Sequence, residues 1–273
     1  MITAIIEQTL ILLPLIIGAY VTLSLLKVPD FSIESAYLCG AVAAYLAKDL
    51  PLPLVLLSAM GGGVVVGLTI GFLNQTLKIP YLLAAIITNG LFHGLTQHLL
   101  YTSVASFHLH TSINELSLLL ITTALIVPIT ILLLRSQLGY CFAIFGNNTR
   151  FFSHHGISEK FIAFSGLSLA YALAGTSGFL FALSNGFVDL TMNFGIILLC
   201  LTALMIGKLA FNTPKPNILV PLIGTIALFI LQQSLLRLGL NLKFFNAIQA
   251  IFILAFIILG QRKKKLSLDH LGV

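Results

Sequence analysis

Apolar residues fill this chain in long blocks separated by short polar breaks. Nine blocks stand out: Ile5–Leu26, Ile33–Ala47, Leu54–Phe72, Pro80–Leu100, Leu116–Leu134, Phe161–Leu183, Asn193–Ala210, Asn217–Leu236 and Phe244–Gly260. A helix needs about 20 apolar residues to cross a bilayer at ~1.5 Å rise each. Most blocks reach that length, and Ile33–Ala47 falls short of a full crossing. The pattern predicts an all-α polytopic membrane protein with about nine membrane segments. Two connections are longer than the rest: the one around His108–Glu115, and Arg135–Lys160. Neither leaves room for a soluble domain, so residues 1–273 are read as one transmembrane domain.

Composition agrees. Hydrophobic residues make up 58% of the chain and charged residues 8%, with a mean hydropathy of +1.07. A soluble fold cannot cover that much apolar surface with so few charges. Cys39, Cys141 and Cys200 are isolated thiols, an odd number placed in or beside spans, and no disulfide is expected. The start Met1-Ile2-Thr3-Ala4 lacks a basic n-region and a cleavage site, so the first block is expected to be a retained span.

The cations are sorted by loop. With nine spans and the C-terminus inside, the cytoplasmic side holds Lys27, Lys78, Arg135, Arg150, Lys160, Lys208, Lys215 and the run Arg262–Lys265. The outer side holds only Lys48, Arg237 and Lys243. Lysine and arginine favour the cytoplasmic face, which sets the N-terminus outside and residues 137–160 and 261–273 inside. The basic tail reads as an anchor beside anionic lipid, and the net charge of +6 does not point to nucleic acid.

Two stretches resemble each other. Asp30-Phe31-Ser32-Ile33, with Ala36 beyond, parallels Asp189-Leu190-Thr191-Met192, with Gly195 beyond. In this topology they enter the membrane from opposite sides, as an inverted-topology repeat does. An Asp or a Ser/Thr before a helix caps its free N–H groups, and a helix that starts inside a membrane aims its positive end at whatever passes. Asp30, Ser32, Glu34, Asp189 and Thr191 are therefore candidates for a translocation path, with simple interfacial capping as the alternative. A second candidate wall lies on the fourth block. Asn89, His93, Thr96 and Gln97 share one helical face, opposite Ala85, Leu91, Leu95 and Leu99. Interhelical hydrogen bonding is the plainer reading of that stripe. Gly166, Ala170, Ala174 and Gly178, and likewise Gly63, Gly67 and Gly71, recur every fourth residue as ridges for close helix packing.

No metal-ligand spacing, serine-hydrolase elbow or phosphate loop occurs, so neither a metal site nor ATP hydrolysis is expected in this chain. The most specific stretch is Leu138–Ile157. Gly146-Asn147-Asn148 reads as a turn with an N-cap. Thr149–His155 reads as about two helical turns stopped by Gly156, with Phe151 and Phe152 both exposed. Exposed aromatic side chains at the cytoplasmic face call for lipid or a protein partner.

At this stretch the chain resembles the membrane subunits of ATP-binding-cassette (ABC) importers of the branched-chain amino acid and sugar permease superfamily. Their cytoplasmic G-x-[ND]-x-x-x-A-x-x-x-G-[IV] element is matched at Gly146, Asn148 and Gly156-Ile157. Their D-[LF]-[ST] motif is matched at Asp30-Phe31-Ser32, within a single-permease type of opening at Pro29–Ser35. Departures fall at Ala143, Asn147 and Phe152, where the family usually has Arg, an acid and Ala. The resemblance implies a permease homodimer in a bacterial inner membrane, fed by an extracytoplasmic solute-binding protein. A cytoplasmic ATPase would bring the ATP and magnesium. The docking segment would comprise Gly146, Asn147, Asn148, Thr149, Arg150, Phe151, Phe152, His154, His155 and Gly156, with both Phe as hydrophobic anchors and Arg150 as a charged contact. It favours an amino acid as cargo, an aromatic one included, with sugars and nucleosides as alternatives. An ion-gradient-driven transporter using Asp30, Glu34 and the polar stripe is the first rival. A non-transporting membrane protein is the second.

Overall fold

A computed structural model describes residues 2–29, 31–109, 114–148, 151–152, 155–211, 217–239 and 244–269. Among the described residues, ten α-helices and one small β-ribbon form the fold. The helices are α1 (Ile2–Ala19), α2 (Ile33–Leu46), α3 (Leu52–Gln75), α4 (Tyr81–Leu100), α5 (Glu115–Arg135), α6 (Gln137–Asn147), α7 (Glu159–Asn185), α8 (Ile196–Ala210), α9 (Leu219–Arg237) and α10 (Phe245–Asp269). Nine of them coincide with the nine apolar blocks. Five segments are long and apolar enough to cross a membrane: Thr3–Leu25, α3, α5, α7 and α9. Helices α2 and α8, with Phe245–Phe256, are apolar but shorter.

Helix α7 is the central element. It is 27 residues long, so about 40 Å, and the middle of it is closed off from the surface on every side. Its small residues allow this. An added Cβ on Gly175 would lie 2.3 Å from the Ala59 carbonyl oxygen, and one on Gly178 2.0 Å from that of Tyr37. Facing them, Gly63 abuts the Tyr171 backbone and Gly40 abuts Gly175. The ridges read from the sequence are thus contact seams: Gly63, Gly67 and Gly71 bring α3 onto α7, while Gly166 and Ala170 face the first span and Gly178 faces α2. Dispersion contacts between closely packed backbones hold such seams together where no water is displaced.

Antiparallel to α7 runs α1. Glu7 meets Ser184, Ile11 meets Ser177, Gly18 meets Ala170 and Leu26 lies over Gly166. The final part of this span, Tyr20–Leu25, is wound as a π-helix, and Lys27 then takes φ +54° to turn the chain into the extended Val28-Pro29. Helices α2 and α3 pack together and onto α7, while α8 and α9 pack together and onto α1. Helix α4 leans on α2, and α10 leans on α8.

Two features were not read from the sequence. Helix α6 continues from α5 through a bend at Ser136, whose hydroxyl accepts from the Leu138 N–H and caps the new helix. Gly146, expected in a turn, lies inside α6, where its lack of a side chain admits the Leu25 and Leu26 backbone. The second feature is an antiparallel ribbon of β1 (Val104–Ser106) with β2 (Phe187–Asp189), which ties the segment after α4 to the segment after α7. Ends of the helices are thereby sorted. The ribbon, the end of α4 and the end of α7 share one face. Lys27, Asn147, Lys208 and Asn217 gather at the other.

The packing makes a stability prediction. Gly175→Leu has no space and should destabilise by at least the ~1–3 kcal/mol typical of overpacking. Gly90→Ala and Gly94→Ala meet nothing within 4 Å and should leave the subunit as stable as before. Thermal unfolding in detergent compares them directly.

Candidate functional site

The first turns of the two short helices, α2 and α8, meet inside the bundle. A helix N-terminus leaves backbone N–H groups without partners. Helix α8 begins at Gly195, whose φ of +83° only glycine adopts readily, and no side chain of its own caps it. The missing acceptor comes from the other half. Glu34, in the first turn of α2, accepts a hydrogen bond from the Ile197 N–H at 3.1 Å. A carboxylate there also opposes the positive end of the α8 dipole.

Around α2 the polar groups converge. The Ser32 and Tyr171 hydroxyls bond across to α7. Ser35 donates to the Asn89 Oδ1 on α4, and the Asn89 amide reaches the Phe31 carbonyl at 3.4 Å. Thus Ser32, Glu34, Ser35, Asn89 and Tyr171 form one polar junction joining α2, α4, α7 and α8. Ser32 and Ser35 are buried and Glu34 is half-buried, whereas Phe31 is exposed at the edge. Of these, Ser35 and Tyr171 were not singled out in the sequence. Each looks like an ordinary core residue there, and only the fold brings them to Asn89 and Ser32.

The remaining path candidates scatter. Asp30 lies outside the described residues. Asp189 ends β2 and closes a turn, accepting from the Thr191 N–H at 2.8 Å and the Thr191 hydroxyl at 3.0 Å. Both precede α8 by several residues, so neither caps it. Ser32 stands just before α2 and Gly195 just before α8. The stripe on α4 also divides. Its protein-facing side is Ala84, Ala85, Thr88, Phe92, Thr96 and Leu100, which corrects the placing of Ala85 on the far face. Thr96 is turned back onto the Phe92 and His93 carbonyls, while His93 and Gln97 are exposed on this subunit.

At the opposite level, Lys27 donates to Asn147 at the end of α6, and Asn147 anchors to the Ala143 carbonyl at 2.8 Å. Thr149, Arg150 and His154 lie outside the described residues. Phe151 is exposed at 37% and its ring stacks on His155 at 4.1 Å. Phe152, expected to be exposed, is fully buried: it packs against Phe145 and edge-on to Phe151. The apolar interior beneath α6 claims it, because α6 itself was not anticipated. Asn148 and Gly156 bound this segment, Gly156 at φ +68°. A cavity of about 430 Å³ opens beside it, lined among others by Lys27, Asn147, Phe151 and Lys208.

A bundle of apolar helices, five of which among the described residues are long enough to cross a membrane, is that of a multi-pass membrane protein. The chain belongs to the family described as "Branched-chain amino acid transport system / permease component", which it matches over residues 1–259, and it is an inner-membrane protein. It is 29% identical over 250 residues to the uncharacterized protein RP368 of Rickettsia prowazekii, covering 86% of this chain and 89% of that one. It is 29% identical over 272 residues to the tyrosine transport system permease protein of Clostridioides difficile, covering 95% and 91%. With the galactofuranose transporter permease protein YtfT of Escherichia coli it shares 25% identity over 234 residues, covering 82% and 68%. No solved structure matches the chain.

The junction yields a paired prediction. Glu34→Ala strips the α8 N-terminus of its acceptor and should destabilise by about 1–3 kcal/mol. Glu34→Gln retains an uncharged acceptor and should lose clearly less. Hydrogen exchange at the Ile197 amide should speed up in the first variant more than in the second.

Proposed function

We propose that this chain is the membrane-spanning permease subunit of an ABC importer that moves a small solute inward by alternating access. The observation that carries the reading is the family match over nearly the whole chain. The geometry is in keeping with it. Helix α6 and Phe151 sit at the end of the bundle that gathers Lys27, Asn147 and Lys208, the end that the distribution of lysine and arginine assigns to the cytoplasm. The N-terminus is then outside and the chain makes nine crossings. The inverted halves rock against each other around the Glu34 junction, with Ser32 and Asn89 beside it, and Asp30 is retained as a path candidate.

In this reading a separate cytoplasmic ATPase binds ATP and magnesium, and an extracytoplasmic binding protein delivers the solute. Two copies of the chain form the passage. The segment from Asn147 to Gly156 docks in a groove on the ATPase. Phe151, exposed and stacked on His155, is the hydrophobic anchor, and Arg150 is a charged contact. Phe152 holds the segment to α6 from beneath. His93 and Gln97, polar and exposed on an apolar helix, face the second copy or the passage instead of lipid. An amino acid is the favoured cargo. A relative named for tyrosine transport aligns with 95% of this chain, which makes an aromatic amino acid the first cargo to test.

Reconstitution with a co-expressed ATPase tests the assignment. The permease alone should hydrolyse no ATP, and should raise the ATPase rate of its partner. Phe151→Ala should reduce that stimulation roughly tenfold or more, as removal of an interface anchor does, without lowering thermal stability. Phe152→Ala should instead destabilise the permease by about 3–5 kcal/mol. Uptake that persists without ATP and follows a proton or sodium gradient would overturn the importer reading in favour of a secondary transporter.

A further inference from the structure

At the end of the bundle away from the β-ribbon, two cavities adjoin. The first, of about 430 Å³, carries Lys27 and Lys208 on its wall, and the second, of about 420 Å³, carries Arg135. Tyr20, Leu25, Tyr140 and Asn217 line both, so the two are chambers of one cleft. Among the described residues, three cations border this cleft and no carboxylate does. Lys27 donates to the neutral Asn147 side chain. Lys208 and Arg135 make no hydrogen bond or ion pair among the described residues. The charges of Lys27 and Lys208 are near enough to act on each other. Two ammonium groups turned toward one space repel unless an anion lies between them. The margin of the cleft is apolar. Phe211 and Val220 border the lysine chamber, and Leu134 and Ile218 the arginine chamber. Beyond Arg135 the surface continues through Leu132, Leu133 and Leu138, all exposed. Tyr140, 65% exposed, stands between the charges and that apolar surface, as tyrosine does where hydrocarbon gives way to headgroups.

We propose that this cleft binds the headgroup of an anionic phospholipid, its phosphate between Lys27 and Lys208 and its acyl chains leaving past Tyr140 over Leu132, Leu133 and Leu138. The lysines supply donors and positive charge to the phosphate oxygens, and the phosphate relieves their mutual repulsion. Arg135 offers a further fork of donors to the glycerol or terminal part of the headgroup. Basic pockets between membrane helices on the cytoplasmic side suit such headgroups, because the inner leaflet is the anionic one. A soluble phosphate ester shares the oxyanion chemistry. The apolar margin and the place of the cleft among the ends of membrane helices favour the lipid. The site goes beyond the importer reading and rests on it only for the leaflet concerned, the inner one.

Native mass spectrometry of the purified permease in detergent, without its ATPase, tests the site with added phosphatidylglycerol or phosphatidylcholine. Phosphatidylglycerol should bind about tenfold or more tightly than phosphatidylcholine. Joint substitution of Lys27→Gln and Lys208→Gln should weaken phosphatidylglycerol about tenfold and leave phosphatidylcholine as it was. Lys48→Gln, whose lysine lies over the Tyr45 ring away from the cleft, should change neither. Asn147→Asp sets a carboxylate against Lys27; it should weaken phosphatidylglycerol as well and serves if the double variant does not fold. Glycerol 3-phosphate, which has the phosphate without the chains, should not displace the lipid at equal concentration. If it does, the cleft takes a soluble phosphate and the lipid assignment is overturned. Equal binding of the two lipids, or undiminished phosphatidylglycerol binding in both the double variant and Asn147→Asp, overturns the site. Equal lipid binding together with lost ATPase stimulation in the double variant would hand the two charges to a carboxylate of the ATPase instead. ATP-driven uptake into proteoliposomes is measured in parallel. Its absence with lipid selectivity intact removes the importer reading alone, and the reverse outcome removes the site alone.

Discussion

Peptide groups in a bilayer have no water to turn to, so a helix that begins inside the bundle must find acceptors within the protein. Helices α2 and α8 are 14 and 15 residues long, about 21–22 Å, against a hydrocarbon thickness of ~30 Å. Both begin among other helices. Through the Glu34 bond to Ile197, a side chain of the first short helix satisfies the backbone of the second. Ser32, Ser35, Asn89 and Tyr171 do comparable work around α2. With water absent, these few polar contacts fix how the two halves meet.

The glycine seams follow from the same setting. Lipid tails are as apolar as leucine, so helices gain little by hiding leucine from them, and close backbone approach supplies the attraction instead. Where α7 meets α2 and α3, several glycines admit neighbouring carbonyls at distances no other residue tolerates. Polar junction and rigid seam are complementary. The seams hold α1, α2 and α3 against α7, and the junction adds hydrogen bonds among α2, α4, α7 and α8.

Much of the scaffold was legible in the sequence. Apolar block length located nine helices, most ends within a few residues and the last helix running on from Gly260 to Asp269, because a long apolar run is a strong signal of a membrane segment. The glycine ridges were read correctly for the same reason: spacing on a helix is a local property. Glu34, Ser32 and Asn89 were identified as polar groups that had no business in oil. What was missed is non-local. Ser35 and Tyr171 look unremarkable until the fold sets them beside Asn89 and Ser32. The β-ribbon joins residues more than eighty positions apart, and nothing in Val104–Ser106 names its partner. Phe152 was misplaced because α6, short and strongly sided, was taken for loop. Once that helix exists, its underside covers Phe152. Asp189 and Thr191, which imitate the Asp30 motif, are used for a turn at the end of β2.

The arrangement as a whole stands on which end of the bundle faces the cytoplasm. Nature supplies the probe. Cys39 and Cys200 are buried, and Cys141, on α6 beside the docking segment, is partly accessible. A membrane-impermeant maleimide applied to the unmodified protein in sealed right-side-out vesicles should leave Cys141 untouched, and should label it once the vesicles are opened. Labelling of Cys141 in sealed vesicles would place α6 and the segment after it on the outer side, away from any ATPase, and would contradict the account.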